Sequence, residues 1–535
     1  MSTTVNPIIP GFAPDPSLVI VDGTYYLVNS TFHLFPGLSI YTSQDLVHWH
    51  HIGNAINRAK QLSFSNASTL IHDLGDGDHL YATGGLYAPT IRYHNGTFYI
   101  VCTNVVNPSD GGQSRLENFI ISTTDIHAGK WSDPVPFEFY GIDPSLFFDP
   151  VSGKTYLCGS KSPGPSTKII LFEIDVATGE KLGPEKQLWH GTGGIYPEGP
   201  HIYYKGGFYY LMIAEGGTHE GHSVTMARSK SLDGPWESSP RNPVLSAAGT
   251  EEYVQCTGHC EAFEGKNGEW WGVCLGVRMS SPTLYGLGRE TFLTRGHWDT
   301  DGWLSFDRVK PQPLNFNTTL DSARKLTAVP GVDWLYIHDP IPSRYNISSP
   351  TSSSSDQSIS LAPSSHDLTE ANASPTFLGK RQRSLHGTSR VTHLRSADTP
   401  TGKFTTGLGV YKYEHRFFYI AVQYQAGKKV GIVAKVVNKA RGNDRGQERK
   451  LEQVEAEANE MVFEIKYTET AYTLSYTVGG GEVKDWFTVE AREMSDKDFV
   501  GPIVGVFAVL EEDEEGEKES GRVEFKEFKV DVDDV

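Results

Sequence analysis

The sequence predicts an all-β protein in which a five-bladed β-propeller is followed by a β-sandwich. Three observations carry this. Five segments in the first 310 residues repeat one hairpin plan, further strand-like runs lie between them, and alternating hydrophobic runs return after a Ser-rich stretch. A unit of about four short strands, repeated along the chain, is the mark of a propeller blade.

The repeated hairpins are PDPSLVIVDGTYYLVNS, YAPTIRYHNGTFYIVCT, IDPSLFFDPVSGKTYLCGS, PEGPHIYYKGGFYYLMIAEGG and TGHCEAFEGKNGEWWGVCLGV. Each has a polar or proline-flanked start, an apolar strand, a Gly-containing turn and a strand rich in Tyr, Phe or Trp. Laid on one another, their leading positions are Asp15, Ala88, Asp143, Glu198 and His259, spaced by 73, 55, 55 and 61 residues. Asp15 lies between two prolines; Pro16 biases it toward an extended backbone, at the point where the first strand begins. Runs such as LSIYTSQDLVHWHHIG and FIISTTDIHAGKWSDPV supply the outer strands, and Trp49, Trp131, Trp236, Trp270, Trp271 and Trp298, in or near such strands, are read as packing.

The propeller is assigned to residues 1–310, a connector to 311–330, and a sandwich of the concanavalin or lectin type to 331–535, with a Ser-rich loop near 347–366. Within the sandwich, FFYIAVQYQ, KVGIVAKVV, MVFEIKYTE, YTLSYTV and GRVEFKEFKVDV alternate as antiparallel strands do. The charged stretches 438–460 and 510–521 read as solvated excursions.

A net charge of -18 argues against nucleic acid or an anionic membrane as partner, since both need a basic face. The start MSTTVNPIIPGF shows no basic, apolar signal segment, and no run of about eighteen apolar residues occurs to cross a membrane. Five cysteines do not form a disulfide framework. A cytoplasmic protein is expected. The sequons at Asn29, Asn66 and Asn95 would matter only after export by another route.

In a propeller the first strands of the blades line the axis in one direction, so Asp15, Asp143, Glu198 and His259 should meet at one end of the channel. Clustered carboxyls repel, which raises at least one pKa and sets a proton donor beside ionised neighbours. A donor acid facing a base acid is the equipment of glycoside hydrolysis. Acids on different blades favour the wider separation of about 6.5–9.5 Å that admits a water and inverts the anomeric centre. The segment CTGHC invites a zinc reading through Cys256, His259 and Cys260. Strand alternation sets His259 on the opposite face from both cysteines, which argues against it.

The chain resembles glycoside hydrolase family 43, in particular its two-domain β-xylosidases and α-L-arabinofuranosidases. The matching pieces are NPIIPGFAPDPS, STFHLFPGLSIYTSQDLVHW, GLYAPTIRYHNGTFY, GIDPSLFFD, EGPHIYYKGGFYYLMIAEGGT, QCTGHCEAFE and LGRETFL, in family order over the first 310 residues. The resemblance implies an inverting, exo-acting mechanism with Asp15 as general base, Glu198 as general acid and Asp143 raising the pKa of Glu198 and orienting it. It makes Arg289 a substrate contact, with a surface ion pair to Glu290 as the alternative. It puts Phe32 and Tyr87, the latter where relatives carry Trp, against the sugar. His259 becomes an axial residue holding a water or a cation such as calcium; a hydrogen-bonded core histidine is the alternative. In some relatives a sandwich loop supplies an aromatic that closes the pocket. In the comparable stretch FVGPIVGVFAVL, Ile503 stands where that ring is expected and Phe507 is nearby.

The expected partner is an oligosaccharide, no organic cofactor is called for, and a homo-oligomer is left open. Xylosidase and arabinofuranosidase activity are not separated by sequence. An endo-arabinanase-like hydrolase and a non-catalytic carbohydrate-binding propeller are the alternatives.

Overall fold

The first residues of the chain seal the domain they begin. The Asn6 side-chain amide donates to the carbonyls of Leu293 and Lys310, both at 2.8 Å, and its backbone N–H reaches Pro311 at 2.9 Å. Ile9 then bridges Thr291, and the Ala13 N–H donates to Arg289 at 3.0 Å. Contacts this distant in sequence tie residues 6–13 to the last sheet of the N-terminal domain. The computed structural model describes residues 5–108, 113–311, 325–348, 357–396, 398–400, 402–425, 428–439, 448–452, 459–511 and 521–532.

That domain is built of five sheets, antiparallel but for one edge strand added to the first, whose first strands are Ser17–Val21, Gly85–His94, Gly141–Phe148, Glu198–Lys205 and Val254–Glu264. Each first strand packs against those of the adjoining sheets, and the fifth packs against the first, so the five close into a ring. Between the fifth and first sheets lie Leu18, Tyr25, Leu27 and Trp49 with Phe263 and Trp271; between the first and second lie Val28, Ile40, Ile91, Ile100 and Phe119. The alternation of each strand thus fills the gap on either side of its sheet.

The ring's axis is polar and buried. Ser17 Oγ donates to Glu261 Oε2 at 2.5 Å, and Ile91 N–H donates to Ser17 Oγ at 2.9 Å. Arg92 Nη1 pairs with Glu261 Oε1 at 2.6 Å, and its Nη2 reaches His201 Nδ1 at 3.2 Å. Ser145 Oγ stands 3.1 Å from the same nitrogen. A guanidinium only donates, so His201 Nδ1 is an acceptor and the ring is neutral. Burial, then Arg92, holds its pKa well down. Each first strand contributes one member: Ser17, Arg92, Ser145, His201 and Glu261.

The C-terminal domain stacks a seven-stranded on a six-stranded sheet over a core that includes Val391, Leu408, Phe418, Ile420, Phe463, Val506 and Phe525. The other face of the six-stranded sheet carries Tyr411, Tyr413, Phe417 and Ile503 against Phe12, Phe32, Leu34 and Tyr81 of the first domain. Arg381 Nε donates to the Phe12 carbonyl at 2.7 Å.

Several expectations change. Lys325–Ala328, inside the expected connector, pairs in parallel with His48–Ile56; residues 312–324 of that connector lie outside the described residues. Ser358–Leu361, inside the expected Ser-rich loop, is a strand paired on both sides, because its alternate residues Ile359 and Leu361 enter the core. Glu448–Glu452, inside the first charged stretch, is an edge strand on Lys428–Asn438. Residues 349–356 of the Ser-rich loop, 440–447 and 453–458 of the first charged stretch, and 512–520 of the second lie outside the described residues. Asn29 is buried, and its side-chain amide is engaged with the carbonyls of Ala13 and Pro14, an arrangement that leaves no room for a glycan in the fold. Among the described residues no helix is long and apolar enough to cross a membrane.

Arg92→Met should destabilise the fold by about 3–5 kcal/mol, because it strands Glu261 without a counter-charge in the interior. The double variant Arg92→Met/Glu261→Leu should recover most of that loss. Urea unfolding of the three proteins checks both; a single variant as stable as the parent would contradict the reading.

Candidate active site

The leading positions of the repeated hairpins are set by breaks in strand register. The first strands slip against their neighbours between Tyr87 and Thr90, Ile142 and Ser145, Glu198 and His201, and Gly258 and Glu261. Such a bulge frees a residue from the ladder and re-aims its side chain. Ala88, Asp143 and His259 fall inside the breaks, and Glu198 heads one. Asp15 stands two residues ahead of its strand.

Asp15 and Asp143 have φ of 51° and 52°, the left-handed region. The extended backbone expected of Asp15 is therefore not adopted. A following proline disfavours the right-handed helical region, and aspartate tolerates the left-handed one better than most residues. That turn brings the Asp15 carboxyl to Ser30 and Arg289. The shared frame Asp-Pro-Ser-Leu gives the same backbone twice. Gly199, with φ of 57°, follows Glu198; a Cβ there would come within 3.0 Å of the His259 ring. Its N–H donates to Asp143 Oδ2 at 2.9 Å.

One cavity of about 300 Å³ is lined by Asp15, Asp143, Glu198, Phe32, Tyr87, His259 and Arg289, all seven of the expected site residues. Asp15 Oδ2 accepts from Ser30 Oγ at 2.7 Å, its Oδ1 accepts from Arg289 Nη1 at 3.2 Å, and His259 Nδ1 lies 3.9 Å away. Burial works to raise the Asp15 pKa, but Arg289, His259 and Ser30 together hold it below the usual carboxylate value. Glu198 moves the opposite way. Burial, and then the charges of Asp143 and Asp15, push its pKa well above the ordinary value, against the pull of Arg289. Asp143 is also raised, by burial first, with His259 opposing and Asp15 adding to it.

Arg289 does not pair with Glu290, whose carboxylate is taken by Arg278 at 2.7 and 2.9 Å. Its guanidinium lies 5.3 Å from the ring centroids of both Phe32 and Phe499. Nη2 and Nε donate to the Phe499 carbonyl at 2.8 and 3.2 Å, and Nη1 also reaches Thr218 at 3.1 Å. The closing aromatic of the second domain is thus Phe499, not Ile503 or Phe507, which are buried in the strand Ile503–Leu510. Phe499 packs on Tyr87 and Phe32 at 5.8 and 6.0 Å. It heads the stretch that suggested a lid, four residues before the position singled out there.

Sequence reasoning also missed Lys497, Thr218, His219 and His222, which line the same cavity. Their signals were weak: Thr218, His219 and His222 follow a Gly-Gly pair in a loop, and Lys497 is a single lysine in the other domain. Burial lowers the pKa of His222 to about 3 and that of His219 to about 4, so both are neutral. Tyr87 turns its hydroxyl away, donating to the Thr83 carbonyl at 2.9 Å.

The zinc reading does not fit the residues present. Cys256 and Cys260 are buried in different apolar clusters. Among the described residues no group of three or more His, Cys, Asp or Glu side chains could hold a metal ion.

Residues 4–304 match Glycosyl hydrolases family 43, and residues 328–531 match the Beta xylosidase C-terminal Concanavalin A-like domain. The chain belongs to glycosyl hydrolase family 43. It is 34% identical to a non-reducing end alpha-L-arabinofuranosidase of Bacteroides ovatus, over 98% of this chain and 94% of that protein. A xylan 1,3-beta-xylosidase of a Vibrio species is 36% identical over 56% of this chain and 57% of its own. Among solved structures, a Bacteroides ovatus family 43 protein from a xyloglucan locus superposes with a TM-score of 0.81 at 31% identity, covering 98% of this chain and 99% of that one. A xylan beta-1,4-xylosidase from Bacillus halodurans also gives 0.81, at 28% identity, over 98% and 100% of the two chains. This family 43 chain is a glycosidase with a two-domain architecture.

The raised pKa of Glu198 has a stability consequence. A carboxyl whose folded pKa lies above its unfolded value, here 4.5, favours the fold below that value and loses this advantage as pH rises through the folded pKa. Glu198→Gln should therefore raise the thermal midpoint by a few degrees at neutral pH, with the gain vanishing near pH 4. Calorimetry across pH 4 to 8 checks it; a midpoint difference that does not grow with pH would contradict the assignment.

Proposed function

We propose that this enzyme is an exo-acting, inverting glycosidase that removes terminal xylose or arabinose from xylo- or arabino-oligosaccharides. The observation that carries the reading is the opposite displacement of two carboxyls in one cavity: Asp15 shifted toward the ionised form and Glu198 toward the protonated form. Asp15 takes a proton from the attacking water, and Glu198 gives its proton to the departing glycosidic oxygen. Asp143 keeps Glu198 protonated through its charge and fixes it through the bond to the Gly199 N–H. Arg289 orients Asp15 and offers its remaining donor capacity to sugar hydroxyls. Phe32, Tyr87 and Phe499 form an apolar wall for the sugar ring.

Inversion is supported by the origin of the two acids in different sheets of the ring, an arrangement that suits a water between base and sugar. Exo action is supported by a cavity of about 300 Å³, ample for one pentose, whose wall is completed by the second domain. That added wall, with Lys497 and Phe499 lining the cavity, disfavours the endo-arabinanase reading. The split between the acids disfavours a purely binding function, which needs no donor facing a base. The names of the relatives span arabinofuranosidase and xylosidase, and both sugars are retained. We read the five sheets as the five blades of a propeller occupying residues 1–310, joined by a connector at 311–330 to the sandwich of 331–535. The reaction so described uses side chains only.

Asp15→Asn and Glu198→Gln should each lower kcat/KM on the oligosaccharides by about 10²–10⁴. The Glu198 variant should lose far less on p-nitrophenyl β-D-xylopyranoside or α-L-arabinofuranoside, whose leaving group departs without a proton. Proton NMR of the first product should show the anomer opposite to that of the substrate. Retention of configuration, or full activity in the Asp15 variant, would overturn the mechanism; no cleavage of either pentoside by the native enzyme would overturn the substrate.

A further inference from the structure

We propose that Asp498, buried within the second domain, is a positioning residue for the reaction: it anchors the segment that holds Arg289, and through Arg289 the base Asp15. The inference rests on the reading of Asp15 given above.

The anchor is a cluster of charges inside the sandwich. Asp498 accepts from Lys412 Nζ and, through Oδ1, from the Tyr413 hydroxyl at 2.6 Å. Arg416 Nη1 lies 3.7 Å from Asp498, and its Nη2 donates to Asp496 at 3.1 Å. Lys412 Nζ also donates to the Met494 carbonyl at 3.1 Å. The Lys412 and Arg416 side chains are fully buried, as is Asp498 apart from 1% of its surface. An apolar cluster of the same volume is often as stable as buried ion pairs. What the ions add is direction: several bonds fix the position of one short segment.

That segment runs straight into the active site. Asp498 makes a single parallel bridge with Tyr81 and faces the charge cluster, while its neighbours Lys497 and Phe499 line the cavity. Tyr81 N–H donates to the Lys497 carbonyl at 3.1 Å, and Phe499 N–H donates to the Tyr81 carbonyl at 3.2 Å. Lys497 Nζ spans Asp78 at 2.6 Å and Glu220 at 3.2 Å. The Phe499 carbonyl receives two of the Arg289 N–H groups, and the third nitrogen reaches Asp15. The Arg416 guanidinium lies 5.1 Å from the Tyr81 ring, so the same cluster supports the strand to which the segment is paired.

A displaced segment would loosen the Arg289 hold on Asp15. The groups facing Asp15 are Arg289, His259, His222, Ser30, Asp143 and Glu198; those facing Asp498 are Lys412, Arg416, Tyr413, Asp496 and His219. Loss of the cation raises the Asp15 pKa, which moves the acid limb of the kcat/KM profile to higher pH.

The test compares Asp498→Asn and the milder Tyr413→Phe with the native chain, by amide hydrogen exchange of residues 495–499 and by the pH profile on p-nitrophenyl pentosides, with folding checked by circular dichroism. Asp498→Asn should speed exchange of the Phe499 amide about tenfold or more, lower kcat/KM about 10- to 100-fold, and shift the acid limb upward. Tyr413→Phe should do the same by a few-fold. A folded Asp498→Asn with native exchange and a native acid limb overturns the proposal. Should that variant not fold, an unchanged exchange rate and profile in Tyr413→Phe overturns it. If the native enzyme cleaves neither pentoside while both variants lose protection at 495–499, the anchor stands and the failure belongs to the substrate reading.

Discussion

The structure turns on where one guanidinium is held. Arg289 leaves the last sheet of the first domain, donates twice to a carbonyl of the second domain, lies between Phe32 and Phe499, and ends on Asp15. Its charge offsets the burial of Asp15, whereas on Glu198 its pull is the weakest of the influences and does not prevent the rise. A buried cation with no such set of partners would be costly to hold. Here the desolvation is met by four hydrogen bonds to three partners and by two aromatic rings, so the charge stays beside Asp15.

Beneath the acids, the axial layer performs a separate task. Five strands meeting end-on around an axis would leave a polar channel of unsatisfied groups. Ser17, Arg92, Ser145, His201 and Glu261 fill it with bonds among themselves. The bulge in each of four first strands then lifts the next residue out of the ladder toward the cavity. A firm floor and freed side chains are complementary: the floor prevents the irregular backbone above it from collapsing inward.

Much of this was legible in the sequence. The hairpin repeat located all five first strands, and its leading positions located Asp15, Asp143, Glu198 and His259, because a repeat carries its geometry with it. Arg289, Phe32 and Tyr87 followed from the resemblance. The left-handed backbone at Asp15 was not legible, since the proline rule states what is disfavoured and leaves the tertiary demand unseen. Phe499 was missed because its position depends on pairing with Tyr81, more than four hundred residues earlier. The axial layer was missed for a similar reason: Arg92, His201 and Glu261 occur in unremarkable strand positions, and only ring closure makes them neighbours. The strand at Ser358–Leu361 was hidden by its serines, although its alternate Ile and Leu carried the period-two signal.

A ring of equivalent strands offers equivalent positions, and equivalence is the wrong starting point for acid–base catalysis. Asp15 and Asp143 share a tetrapeptide frame and a backbone conformation, yet their pKa values move in opposite directions. Nothing in the repeat accounts for that. The difference comes from outside the repeat: Asp15 touches Arg289 and Ser30, while Asp143 touches the Gly199 N–H and no cation at bonding distance among the contacts described. Arg289 in turn is held by the Phe499 carbonyl of the other domain. The first domain therefore assembles the acids, and the second, by fixing one cation off the axis, makes them unequal. On the proposed mechanism the sandwich is part of the catalytic unit, because its Phe499 carbonyl fixes the cation that, with Ser30 and His259, sets Asp15 apart from the other carboxyls.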